Sequence, residues 1–308
     1  MTSNKVEAQK FHDKLRAELW SITKLDNKPI YTWRDAVIRW LKESNQKRSI
    51  ETDKIHLRWL DKHLCSYCLH EITRDVLESV ALQKKVEGVS CTTVNRVLEV
   101  VRAILRKANK DWDWIDKVPV VPMHQTERAR IRWLTVEEVN CLLKELPSHL
   151  KDMAIFALAT GLRESNVTNL QWCDIDMAKC HAWIHPDQAK TKRAIPVPLN
   201  NNAMAVLKAK IGDHPQFVFT YQGQPVTRCN NHAWRKALNR AGIENFRWHD
   251  LRHTWASWHV QNGTSLQELQ QLGGWSSFEM VLRYAHLSSD HLRHAANRIG
   301  AINLVSCA

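Results

Sequence analysis

Residues 248–258, WHDLRHTWASW, and residues 272–287, LGGWSSFEMVLRYAHL, decide how this chain is read. His249 and Arg252 stand three residues apart, which puts both on one face of a helix. Trp275 and Tyr284 follow in the second run. Upstream, residues 159–167, ATGLRESNV, supply Arg163. Two arginines suit the nonbridging oxygens of one phosphate, a histidine can move a proton, and a tyrosine hydroxyl can act as a nucleophile. The set points to phosphoryl transfer on a nucleic-acid backbone. No metal and no cofactor is expected. His253, beside Arg252, is expected to point elsewhere. Each residue has a plainer reading when taken singly. Tyr284 suits a core position with its hydroxyl satisfied locally, and Arg163 suits the C-terminus of the apolar helix before it. All of them falling in this order by accident is the poorer explanation.

Charge agrees with a polyanionic partner. The 308 residues carry 44 Lys+Arg against 32 Asp+Glu, a net charge of +12. Residues 1–120 and 121–308 each hold a net +6, so both halves suit the same polyanion. Eight dispersed cysteines do not form a disulfide scaffold. No apolar run approaches the roughly 18 residues of a membrane span, and the start of the chain lacks a signal-peptide core. A cytoplasmic protein is expected, nucleoid-associated when bound to DNA, with no membrane contact.

Hydrophobic spacing divides the chain. Residues 1–28 form an N-terminal extension. Four helices are predicted within 29–116. The first has Thr32 as its cap, with Ala36, Val37, Trp40 and Leu41 inward. The second has Ile55, Trp59 and Leu60 inward, and the third runs from Thr73 to near Gly88. The fourth has Val94, Val97, Leu98, Val101, Ile104 and Leu105 on one face and Arg96, Arg102, Arg106 and Lys107 on the other. Residues 117–130, with two prolines, read as a linker. The second domain, 131–308, opens with a capping-box spacing at Thr135 and Glu138. An apolar helix closed by Gly161 follows, then two strands, CHAWIH and AIPVPL, with a polar turn between them. Three further helices are placed near residues 226–242, 249–263 and 266–274. Cys65 and Cys68, with His63 and His70 nearby, have zinc-like spacing, but no second pair follows, so two packed thiols are the preferred reading.

Arg163 in TGLR, His249 and Arg252 in HDLR, Trp275 in LGGW and Tyr284 in RYAHL together resemble the tyrosine recombinase or phage integrase family. The helical N-terminal region, with ITRDVL around Thr73, resembles the family's core-binding domain. The resemblance implies a multidomain, mainly α protein. Its parts are an N-terminal four-helix, SAM-like core-binding domain and an α+β catalytic domain with a small antiparallel sheet. It implies a site-specific recombinase acting through a 3′-phosphotyrosyl intermediate, with Tyr284 as nucleophile. It also implies a catalytic lysine in the hairpin turn, either Lys190 or Lys192, with Lys190 favoured by the Lys-Thr pair. Arg193 and Arg228 join the four helical cations as DNA-binding candidates. The implied partners are duplex DNA, three further protomers on paired sites, and accessory DNA-bending proteins.

Two departures stand out. Asn166 occupies a usually acidic position, and Trp275 replaces the commoner histidine. They keep open a DNA-binding descendant that no longer cuts. A type IB topoisomerase-like activity shares the chemistry.

Overall fold

The computed structural model describes residues 5–24, 29–126, 131–184, 195–287 and residue 297. The chain divides into two compact units, Met1–Arg128 and Ala129–Ala308.

The first unit begins with α1 (Lys5–Lys24), a helix that hydrophobic spacing did not predict within the extension. Thr32 and Asp35 form a capping box that starts α2 (Trp33–Glu43). The next helix, α3 (Ile50–Leu64), buries Leu57, Leu60 and Leu64. Ile55, expected inward, is 60% exposed. It lies two residues from Leu57, about 200° around the helix, so both cannot face the core. Thr73 caps α4 (Arg74–Val86), and Ser90 caps α5 (Cys91–Lys110). All six apolar positions expected on one face of α5 are buried, and α2, α3 and α4 pack around that face. Residues 117–126 form neither helix nor strand. They still belong physically to this unit: Val118 and Val121 lie on its core, and His124 exchanges two backbone hydrogen bonds with the Asn95 side chain.

In the second unit, α6 (Val136–Glu145) starts at the Thr135–Glu138 capping box. The apolar α7 (Ser148–Thr160) ends at Gly161 in the left-handed region (φ 65°). After the short α8 (Glu164–Thr168), strands β1 (Ile175–Asp176), β2 (His181–Ile184) and β3 (Ile195–Pro198) form an antiparallel sheet in that order. The β2–β3 register pairs His181 with Pro198 and Ile184 with Ile195, as the predicted hairpin requires. Helix α9 (Asn201–Lys210) packs on α7, and a second hairpin joins β4 (Thr220–Tyr221) to β5 (Gln224–Pro225). The chain then forms α10 (His232–Arg240), α11 (Asp250–Gln261), α12 (Leu266–Gly273) and α13 (Glu279–Leu282). Helices α8, α9 and α13 and strands β1, β4 and β5 were not expected from the sequence, most being too short to show a period.

Helix α11 is held on several sides. It packs against α7 and α12. Trp258 Nε1 donates to the Leu134 carbonyl, and the Leu134 amide donates to the Thr254 hydroxyl. The helix therefore cannot rotate without breaking buried bonds, and its register presents Arg252 and His253 inward.

Candidate active site

Arg252 is 5% exposed and holds three segments together. One guanidinium nitrogen donates to the carbonyl of Gly161, past the end of α7, and the other to the carbonyl of Gly273, in the last turn of α12. Its carbon lies 4.1 Å from the centroid of the Trp275 ring. The fixed fork of an arginine allows this bridging, which the point charge of a lysine does not. Burial, then repulsion from Arg163, pull its pKa down to about 9, while Tyr284 acts in the other direction. The group remains a cation at neutral pH, without a carboxylate partner among the described residues.

The two glycines allow this close assembly. A Cβ on Gly161 would lie 2.3 Å from the Trp255 ring, at a φ that side chains rarely adopt. A Cβ on Gly273 would lie 2.0 Å from the Trp275 ring. Gly161→Ala combines a left-handed alanine with overpacking and is expected to cost about 3 kcal/mol. Urea unfolding measures it, and an unchanged midpoint would show that the Trp255 ring yields freely.

Arg163 is half-buried at the start of α8, and burial lowers its pKa. Its side chain has no hydrogen-bond or ion-pair partner among the described residues. Asn166 does not orient it. That side chain is buried and meets the Ser165 hydroxyl at 3.5 Å. The loop is anchored instead by Glu164, which no sequence motif singled out. Its carboxylate accepts from the amides of Cys229 and Asn230, at 2.6 and 3.0 Å. Nothing in the local sequence signals these partners, which lie 65 and 66 residues away.

Tyr284 is 1% exposed and packs in a small cluster with Trp255, Val260, Leu269 and Val281. Its hydroxyl shares a 2.5 Å hydrogen bond with Nδ1 of His253. This corrects the expectation that His253 points away. His249 is the more exposed of the two, at the N-cap of α11, with its ring 5.4 Å from that of His253 and edge-on to it.

The surrounding cations do not ease phenolate formation in the free chain. Burial pushes the Tyr284 phenol up to about 12, outweighing the opposing pull of Arg283 and Arg252. Trp275 is half-buried, its ring 6.1 Å from that of Tyr284. Its turn is clamped by two hydrogen bonds with Gln270, and its indole N–H has no partner among the described residues.

Burial, then His249, Arg283 and Arg252, lower His253 to about 4, and burial lowers His249 and His259 as well. Unfolded histidine takes up its proton near pH 6.5. Between these values the unfolded chain binds more protons, so stability present above about pH 6.5 is lost as pH falls towards 4. Half-buried Asp250, shifted upward by burial, opposes this only lower, in the carboxylate range. His253→Asn is expected to flatten the acid limb of the stability curve by about 2 kcal/mol. Urea midpoints between pH 7 and pH 4.5 check this, and an unchanged slope would contradict the assignment.

Arg163, His249, Arg252, Trp275 and Tyr284 therefore gather in one place. Lys190, Lys192 and Arg193 lie outside the described residues. Among the other cations, Arg106 and Arg228 are exposed and Arg102 is half-buried. Arg96 pairs with Glu99 at 2.8 Å, and Lys107 is tied to Glu43, which also accepts from Trp112. No group of three or more candidate metal ligands occurs among the described residues. Among them also, no helix is long and apolar enough to cross a membrane.

The model of the phage integrase family matches residues 132–291. The integrase of Salmonella phage P22 is 40% identical across 98% of this chain and 88% of its own length. That of Escherichia phage 186 is 30% identical across 70% of this chain and 62% of its own. In structure, the Tn1549 transposon integrase in complex with transposon right end DNA aligns with a TM-score of 0.73 at 20% identity, over 86% of this chain and 98% of that one. A lambda integrase tetramer bound to a Holliday junction aligns at 0.69 with 17% identity, over 92% and 88%. The structural likeness carries the mainly helical fold with its small antiparallel sheets. The sequence likeness carries the family. With two arginines and a tyrosine gathered in one place, and no carboxylate of the described residues paired with either guanidinium, this chain belongs to the phage integrase family: it is a tyrosine recombinase, a site-specific enzyme that breaks and rejoins DNA.

Proposed function

We propose that Tyr284 attacks a DNA phosphodiester held by Arg163 and Arg252, forming a 3′-phosphotyrosyl bond and releasing a 5′-hydroxyl. The observation that carries this reading is the pair of mutually repelling guanidinium groups, set into the fold beside Tyr284 without a carboxylate partner among the described residues. Buried cations are costly unless compensated, and a phosphate is the anion whose geometry fits two forks. Trp275 adds a neutral N–H donor, and His249 faces the same anion from the rim. Lys190, with Lys192 as the alternative lysine, protonates the departing 5′ oxygen. Rejoining is the reverse step. The covalent link keeps the phosphodiester energy, so no nucleotide cofactor enters.

The first unit is proposed as a core-binding DNA domain, in which Arg102 and Arg106 contact backbone phosphates. The net +6 carried by residues 1–120 supports this. We assign duplex DNA as partner and four protomers on two sites as the working assembly; a lambda integrase tetramer bound to a Holliday junction supports the number of protomers. The place of action is the cytoplasm, on the nucleoid. A suicide duplex nicked beside the scissile phosphate tests the chemistry. The wild-type chain is expected to become covalently attached to its 3′ end. Tight binding without attachment would overturn the reading.

A further inference from the structure

The phenol proton of Tyr284 has to leave as the phosphotyrosyl bond forms, and family resemblance directs attention to His249. The geometry directs it elsewhere. Among the described residues, the Tyr284 hydroxyl has one hydrogen-bond partner, Nδ1 of His253, at 2.5 Å. His249 has no hydrogen bond to that hydroxyl, and its ring packs edge-on against His253. We propose that His253, one residue past Arg252 on α11, is the catalytic base that receives the Tyr284 proton. This rests on Tyr284 being the nucleophile.

Four observations support the assignment. First, α11 is locked in register by Thr254 and Trp258, whose bonds to Leu134 lie just beyond His253 on the helix, so the imidazole is held in place. Second, burial, and then the neighbouring His249, Arg283 and Arg252, keep the His253 ring neutral and able to accept, while Asp250 acts on the adjoining phenol. Third, a neutral ring with its proton on Nε2 has Nδ1 as acceptor, and in that tautomer the Tyr284 O–H donates along the existing bond. Fourth, the low basicity of His253 does not forbid the transfer. As the phenol oxygen bonds to phosphorus its proton becomes strongly acidic, so a weak base suffices late in the step.

The bond from the Tyr284 oxygen to phosphorus forms and the bond from phosphorus to the 5′ oxygen breaks. The phenol proton goes to His253 Nδ1, and the general acid proposed above, Lys190 or Lys192, supplies the proton of the released 5′-hydroxyl. Rejoining returns the proton from His253 to Tyr284.

The test is single-turnover trapping on the nicked suicide duplex, as a function of pH, for wild type, His253→Asn and His249→Asn. Asparagine keeps a polar group near the Nδ1 position but cannot take the proton. His253→Asn is expected to bind DNA within twofold of wild type, to cleave roughly a hundredfold more slowly, and to lose the acid limb of the rate profile. Cleavage by His253→Asn within threefold of wild type overturns the proposal, as does loss of the acid limb in His249→Asn alone. Nitrogen-15 spectra of the histidines in wild type and Tyr284→Phe give a second reading that needs no His253 variant. One Nδ1 resonance should move when the phenol is removed, and identical spectra overturn the proposal. A wild-type chain that traps no DNA removes the nucleophile assignment first. A trapping wild type with an unimpaired His253→Asn removes only this one.

Discussion

Tyr284→Phe is expected to bind its DNA site as tightly as the wild type and to form no covalent complex, a loss of at least about 10⁴-fold in trapped product. The substitution deletes one oxygen from a residue that is 1% exposed and leaves its ring packing among Trp255, Val260 and Leu269 intact. One hydrogen bond, to His253, is lost, and the imidazole nitrogen left behind lies in a half-buried position. The stability cost is therefore about 1 kcal/mol. The variant should fold, bind and fail only in chemistry. Denaturing gels of the suicide-duplex reaction, run beside a DNA-binding titration, measure both arms. A covalent band from Tyr284→Phe would show that another side chain attacks.

The second large effect separates the two arginines. Arg163→Met and Arg252→Met should each lower single-turnover cleavage by about a thousandfold, because each removes donors aimed at the developing phosphorane charge. Their effects on stability should part company. Arg252 supplies the donors for the Gly161 and Gly273 carbonyls, so its loss leaves two buried acceptors unpaired and should cost about 3 kcal/mol. Arg163 has no partner of its own among the described residues and presses electrostatically on Arg252. Removing a half-buried, uncompensated charge relieves desolvation and repulsion, so Arg163→Met should unfold at or above the wild-type midpoint. Thermal melts of the DNA-free protein check this contrast. Equal destabilisation by both variants would mean that Arg163 has a structural anchor after all.

Much of the fold was visible in one dimension. Repeating apolar positions marked α2, α4, α5, α6, α7, α11 and α12, because a helix must turn one stripe towards a core. Capping residues such as Thr32, Thr73 and Thr135 marked where helices begin, since a free amide in the first turn needs an oxygen nearby. Residue chemistry and order made Arg163, His249, Arg252, Trp275 and Tyr284 candidates. The two-residue strands β1, β4 and β5 left no period to find. Ile55 misled because an apolar residue next to an amphipathic stripe looks the same on paper whichever way it faces.

What the one-dimensional pattern supplied was the inventory: a basic, largely helical chain carrying the side chains for phosphoryl transfer. Convergence was beyond it. Arg252 reaches carbonyls 91 and 21 residues away, Glu164 accepts from amides 65 and 66 residues on, and His253 meets a phenol 31 residues on. Those pairings depend on how α7, α11 and α12 pack, and nothing local encodes them. The same packing raised the Tyr284 phenol when its neighbours' charges alone argued for lowering it. Burial is a property of the folded volume around a group, and it is largest where many distant segments meet.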